Sequence, residues 1–504
     1  MLSVLLFYFI YYILHVSLWG IFKKAGKNPI HTLIPFLQDK TWLEILGKNP
    51  NKAFWGLIPY VNFIFSLTWI TDTLTCFGKT KFWQVLAVTF FGYIYFPIIG
   101  FDKTTKYIGP IYKDGNKPKR STLREWSDAI VFAVVAATFV RMFAIEAYKI
   151  PTTSMEGSLL AGDFLFVSKM SYGARVPMTP IAFPFAHHTM PFNLGKAYSK
   201  IIQLGYHRLP GFTTIKRGDV VVFNYPGDAY DFPDRPIDKR ENYVKRCVAI
   251  AGETLEVKDR YLYVNGEKQP QYKNKQYDYT VITNENKISP EIFKDLEINW
   301  YNDFFTRPYA DGMGRPVAPL DNLYADFLNY INTSPELEIL LTDTQYDALK
   351  KMPNVTSIKP TDMSKYIDLN SVFPHNINYF QWTTDDFGPL TVPKKGMTIP
   401  LDTTNLVLYA STIKDYELQD ISMNGSQVLI NGQPATSYTF KQDYYFMMGD
   451  NRHNSLDSRY WGFVPEDHVV GKPLFVFFSM NNFESFPERI KFNRIFRSVK
   501  ALCE

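Results

Sequence analysis

The sequence predicts a mainly β domain with an α+β insert, preceded by an α-helical membrane region of about four spans. Three observations predict it. Long uncharged stretches crowd the first third of the chain and stop after Tyr148. Short β-branched and aromatic runs broken by Asn-Gly turns fill the remainder. The composition, 46% hydrophobic, 16% aromatic and only 20% charged over 504 residues, excludes a disordered, collagen-like or coiled-coil chain. A net charge of +5 is too mild and scattered to suggest nucleic acid. The three cysteines, Cys76, Cys247 and Cys503, form no CxxC pair, so zinc and thioredoxin chemistry have no support.

The first elements are the spans. Met1 to Phe22, Ala53 to Ile70 and Phe82 to Phe101 hold no charged side chain, and Trp126 to Ile145 holds only Asp128 and Arg141. Each approaches the roughly 20 residues that a helix needs to cross the hydrocarbon core. The second is interrupted by Pro59 and Asn62 and has an interfacial or re-entrant helix as its alternative. The first lacks a basic leading region and reads as a retained helix. Residues 23–52 carry six lysines against Asp39 and Glu44, and residues 102–125 carry seven Lys or Arg against three acids. With both basic loops cytoplasmic, the rest of the chain lies outside. Gly26-Lys27-Asn28-Pro29 is repeated as Gly47-Lys48-Asn49-Pro50, a duplicated turn expected at membrane entry.

The exported part reads as strands. Asp219 to Phe223, Tyr243 to Ile250, Tyr261 to Val264, Val428 to Ile430 and Leu474 to Phe478 are the candidates, with Asn265-Gly266 and Asn431-Gly432 as hairpin turns. Thr342 to Met352 is the best helix, with Thr342 as N-cap. Tyr272 to about Tyr438 has loop-like composition. The boundaries expected are a multi-span region at 1–125, a last transmembrane helix at 126–147, a β domain at 148–271 and 439–504, and an accessory insert at 272–438. Ile181 to Phe192, apolar and proline-interrupted, either folds onto the β core or dips into the outer leaflet. Its His187-His188 pair lacks a third ligand, so no metal is expected.

Directly after the last span comes Ile150-Pro-Thr-Thr-Ser-Met155, which would set Ser154 close to the bilayer surface. A serine needs a base, and no triad histidine or GxSxG elbow is present. Lys245 lies in the apolar strand Asn242 to Ile250, where burial would lower its pKa and make a neutral amine available. The alternative is a lysine facing solvent on an edge strand. Gly449 to Pro465 is dense in turn formers and small polar groups and reads as a rigid hydrogen-bonded loop, or as a structural turn with an Asp457–Arg459 salt bridge.

Together these stretches resemble the bacterial type I signal peptidase family. Residues 151–163 resemble its P-S-x-S-M-x-P-T-L-x-x-G-D box, Arg217 to Phe223 its strand box, Tyr243 to Arg246 with Gly252-Glu253 its lysine box, and Gly449 to Arg452 its final box. Four collinear boxes make the resemblance specific; it covers 148–173, 217–226, 242–266 and 447–478, and extends to the last span with Arg141 and Lys149. The resemblance implies Ser154 as nucleophile and Lys245 as general base. It implies Thr152 as an oxyanion donor with the Ser154 N–H, Ser455 as a hydrogen-bond partner of the lysine, and Asp457 and Arg459 as supports of the loop. It implies shallow substrate pockets lined by Ile150, Met155, Leu159, Val222, Tyr243 and Val244. Gly157, Ser158 and His453 depart from the pattern, where proline, threonine and aspartate are usual, which puts loop rigidity in doubt.

The expected activity is removal of signal peptides from secreted preproteins after Ala-x-Ala-type sites. It would occur at the outer face of a bacterial plasma membrane, among phospholipids and near the export translocon, with no cofactor and no nucleic acid. A narrow-specificity processing protease and a catalytically silent membrane scaffold are the alternatives. Retention of Ser154, Lys245, Thr152 and Ser455 argues against the last.

Overall fold

A computed structural model describes residues 15–57, 61–112, 122–190, 192, 194–285, 287–298, 320–365, 367–425, 427–481 and 486–503. The chain forms two compact units, Met1–Ile145 with Gly173–Gly211, and Glu146–Tyr172 with Phe212–Glu504.

The first unit is helical, with helices at Trp19–Lys24, Leu37–Leu46, Val61–Cys76, Phe82–Phe101 and Thr122–Phe143. Trp42, Trp69, Phe22, Leu43, Val88 and Phe96 are buried together. Gly20 and Gly100 let two helix backbones touch: a Cβ on Gly20 would come 2.7 Å from the Gly100 Cα. Beside this crossing the Lys24 ammonium donates to the carbonyls of Ile99, Asp102 and Thr105. It thus supplies donors where the helix Phe82–Phe101 runs out of its own. The duplicated motif has a structural meaning. Gly26 and Gly47 both take left-handed φ, +73° and +76°. At each the same bonds recur, Gly26 N to Lys23 O with Lys27 N to Phe22 O, and Gly47 N to Glu44 O with Lys48 N to Leu43 O. Each Asn then caps a 3-10 turn opened by proline, Pro29–Leu33 or Pro50–Leu57. The repeat is a helix stop followed by a capped restart.

The four spans are not found in the form expected. Most of the first lies outside the described residues. Among the described residues no single helix is long and apolar enough to cross a membrane. The third is broken: Phe82–Thr89 and Phe91–Phe101 meet at 119°, and only together do they have the length and composition of a span. The helix Thr122–Phe143 is apolar only over Ala129–Phe143, because its first turns carry charges. It ends at Phe143, and Ile145–Lys149 is already a strand, so the expected end at 147 is too late. In Gly173–Gly211 several large apolar side chains are exposed, Phe192 at 95% and Ile201 at 87%.

The second unit is built on a seven-stranded sheet. Its strands in chain order are β1 Ile145–Lys149, β2 Asp163–Ser168, β3 Val220–Asn224, β4 Asn242–Ala249, β5 Tyr444–Met448, β6 Val464–Pro465 and β7 Val469–Ser479. Their order in the sheet is β1-β2-β7-β3-β4-β5-β6. β3 and β4 are antiparallel, with Val221 opposite Lys245 and Val222 opposite Val244. Opposed residues share a face. Val222 and Val244 therefore join Ile150, Met155, Leu159, Leu165 and Val476 in one core, while Val221, Phe223, Cys247 and Met447 form another.

The stretch 272–438, expected as one loop-rich insert, divides into two structures. Gln276–Thr283, Glu336–Thr342 and Val355–Pro360 form a three-stranded antiparallel sheet with its own core of Val281, Phe293, Phe327, Leu337 and Leu349. Beyond it, Phe387–Thr391 pairs with Thr254–Lys258. Val372, Phe373, Phe387, Tyr409, Ile413 and Tyr438 are buried with Val248, Leu255, Phe446 and Phe463. That second half is part of the main domain's core.

Candidate active site

The nucleophile loop follows β1. Its path is fixed by Ile150 N to Asp163 O (2.8 Å) and Gly162 N to Ile150 O (2.9 Å), and by the Gly157 turn at φ +86°. Thr153 and Ser154 are strapped to the 449–465 loop. Asn451 donates its N–H to the Ser154 carbonyl (3.2 Å) and its Nδ2 to the Thr153 carbonyl (3.2 Å), and Asn454 Nδ2 donates to Thr153 Oγ1 (3.1 Å). Ser154 is 8% exposed.

Lys245 lies on β4 at 3% exposure, and its Nζ donates to Ser154 Oγ at 2.5 Å. The solvent-facing alternative is thereby excluded. Burial pushes the Lys245 ammonium down to about 8. The Asp457 and Asp450 carboxylates act against that shift, and Arg459 adds to it. Both carboxylates are engaged elsewhere. Asp457 takes Arg459 in two bonds (2.9 and 2.7 Å) and accepts the Gly449 N–H (3.0 Å). Asp450 takes Arg246 in two bonds (2.7 and 2.6 Å) and accepts Ser158 Oγ (2.6 Å). Burial alone would raise both carboxyls, yet the arginines hold them below the usual carboxylate range. The fixed opposite charges leave the lysine dry, with a depressed pKa and a serine in reach.

The other expected residues divide. Thr152 Oγ1 is 3.4 Å from Ser154 Oγ, next to the nucleophile. The Asp457–Arg459 pair is present, and Arg459 also donates to the carbonyls of Arg452 (2.5 Å) and Thr384 (3.3 Å). The hydrogen bond expected from Ser455 to Lys245 is not formed: Ser455 Oγ is buried with no partner. It lies against Gly449, where an added Cβ would stand 2.2 Å from that hydroxyl and 2.4 Å from the Ser154 carbonyl, so a glycine is required there. Ile150, Met155, Leu159, Val222 and Val244 gather in one cluster, the first four at 3% exposure or less. They line core here rather than an open pocket. Tyr243 is apart from them, on the opposite face of β4, stacked on Tyr225 at 4.4 Å with Trp461 edge-on to both. The alternation of a strand explains the split.

Sequence reasoning missed the Arg246–Asp450–Ser158 network, although Arg246 and Asp450 stood inside two of the quoted boxes. The departures from the family pattern are accommodated. A Cβ on Gly157 would meet the Asn274 carbonyl at 2.1 Å, Ser158 holds Asp450, and His453 bonds Asp385 (2.7 Å) while accepting the Asp278 N–H (3.1 Å). Thr384 and Asp385 come from the second half of the supposed insert, which thus backs the site.

A buried serine and a buried lysine in contact, beside a rigid loop, form a candidate nucleophile–base pair. Residues 123–300 and 433–478 match the family described as signal peptidase, peptidase S26. Signal peptidase I of Buchnera aphidicola (subsp. Baizongia pistaciae) is 25% identical over 371 residues, 73% of this chain and 81% of that protein. Signal peptidase I of Helicobacter pylori J99 is 26% identical over 383 residues, 74% of this chain and 91% of its own. The Pseudomonas aeruginosa enzyme is 30% identical over 150 residues, 30% of this chain and 40% of its own. Residues 30–110 match a family of unknown function.

Proposed function

We propose that this protein is a serine endopeptidase of the signal peptidase I type, which removes signal peptides from exported preproteins. The observation that carries the reading is the 2.5 Å contact between a buried, pKa-depressed Lys245 and Ser154 in a chain that matches the signal peptidase family model. In the reaction Lys245 takes the Ser154 proton and Ser154 Oγ attacks the scissile carbonyl. The C–N bond then breaks as the leaving amine takes a proton from Lys245, and water, deprotonated by the neutral Lys245, releases the acyl group and returns the proton to Ser154. Thr152 Oγ1 and the Ser154 N–H hold the oxyanion. The preprotein adds as a strand beside β4. β5 covers β4 only over Arg246–Ala249, so Val244 and Lys245 have a ladder partner on the β3 side alone. Ser455 orients the amine once substrate is bound. The small side chains of an Ala-x-Ala site meet Val244 and the edge of the Ile150, Met155, Leu159 and Val222 cluster. Tyr243 contacts the chain from the other face.

The outer face of a bacterial plasma membrane is the setting that suits this chain, with phospholipids and the translocon at hand. The apolar helical region supports it, as do the outward-facing Phe183, Phe185 and Phe192, which gain by burial in a lipid interface. The test is cleavage of a preprotein with an Ala-x-Ala site in vesicles. Wild type should cut after the second alanine and Ser154→Ala should not; intact substrate with folded wild type would refute the reading.

A further inference from the structure

Behind the nucleophile loop two basic side chains are buried with no ion-pair partner among the described residues; burial pushes the Lys275 ammonium down to about 7, while Arg452 keeps its charge. Lys275 is 4% exposed and Arg452 is 3% exposed. Among the described residues the Lys275 ammonium makes no hydrogen bond and no ion pair; it stands over the Tyr277 ring at 4.6 Å. Arg452 directs Nη1 at the Met448 thioether (3.8 Å), a weak acceptor, and its Nε is buried with no partner. The two are held on adjoining backbone. Gln276 bridges to Asn451 in parallel, with Gln276 N to Asp450 O and Arg452 N to Gln276 O both at 2.9 Å. Arg452 is the strongest charged influence on Lys275. Two carboxylates, Asp343 and Asp450, act on Lys275 without pairing with it: Asp343 is exposed, and both Asp450 oxygens are taken by Arg246 and one also by Ser158.

A guanidinium cannot shed its proton, and an unpaired buried charge is costly. Two buried donor groups on adjoining backbone, with no acceptor for either among the described residues beyond the Met448 thioether, are the complement of a small anion. We propose that Lys275 and Arg452 form an internal site for a small monovalent anion, chloride by class. The site joins the strand that opens the accessory sheet to the loop carrying Asp450 and Asn451. The bound anion neutralises the surplus charge and fixes that loop against Gln276.

The probe is chloride itself. The full-length protein in detergent is titrated with chloride against gluconate at constant ionic strength, and the chloride NMR line width is read. The wild type should broaden the line in a saturable manner, and bromide should compete. Lys275→Met should lose that broadening, and Lys275→Arg should keep it. The thermal transition should rise with chloride in wild type and not in Lys275→Met. A wild type that broadens the line no more than Lys275→Met overturns the site, as does a wild-type transition indifferent to chloride. Neither readout depends on peptide cleavage, so the site stands or falls apart from the proposed activity.

Discussion

The dyad is a lysine kept from water and a serine within its reach, and both halves make testable demands. With burial holding Lys245 near 8, the neutral amine is the minor form at pH 7 and dominant at pH 9. Cleavage under single-turnover conditions should therefore rise about tenfold per pH unit below 8 and level off above it. The same burial has a stability sign. Lys245 has a folded pKa of about 8 against 10.5 unfolded, so the unfolded chain holds more protons between those values. Stability from this group thus rises with pH across that window, and below it the full penalty of about 3 kcal/mol applies. Lys245→Met should accordingly be inactive yet melt no lower than wild type at pH 7, as calorimetry would show. Thr152→Val should lower kcat by about 10²–10³, whereas Thr152→Ser should retain most activity, because the hydroxyl is the working part. Lys245 was legible because apolar neighbours in sequence foretold burial, and Ser154 because it follows the last apolar stretch inside a box that resembles the family's. The true state of Ser455 was not, since whether a hydroxyl is paired depends on a backbone 6 residues earlier at Gly449 and on packing that no local pattern records.

Turns and strand alternation carried most of what the elements disclosed in advance. Asn265-Gly266, both at positive φ (+53° and +81°), closes the hairpin Tyr261–Val264 to Glu267–Lys268, and Thr342 caps the helix Asp343–Lys350 in a box with Gln345. These are signals confined to a few adjacent residues. The strands of 276–360 were missed for the opposite reason: the partners of Gln276–Thr283 begin far along the chain, at Glu336 and Val355. The third expected span is bent at Phe91, a break that hydropathy does not register. Gly157 gives the sharpest element-level prediction. Its φ of +86° and the Asn274 carbonyl 2.1 Å from an added Cβ make Gly157→Ala costly, about 2 kcal/mol or more, with loss of cleavage. Gly266→Ala, at φ +81° with open space, should cost no more than about 1–2 kcal/mol, and paired thermal melts would show the difference.

At the level of the whole molecule, the two halves of the 272–438 stretch should respond differently to removal. Thr283 and Val355 are register partners, so replacing residues 284–354 by a two-residue turn closes a hairpin and discards most of a separate core, leaving Val281 with Tyr279, Val355 and Ile358 on the hairpin. That variant should fold cooperatively. Deleting 372–438 strips Phe373, Phe387, Tyr409 and Tyr438 from the main core and should abolish the thermal transition. The sheet order carries one more consequence. β7, Val469–Ser479, lies between β2 and β3, and Ser158 finds Asp450 across 292 positions. A chain emerging from its N-terminus has Ser154 long before it has the middle of the sheet or the loop that straps the serine in place. Any molecule interrupted before Ser479 is therefore latent. Hydrolytic power arrives late and all at once, and the protease stays harmless to its neighbours throughout its own synthesis.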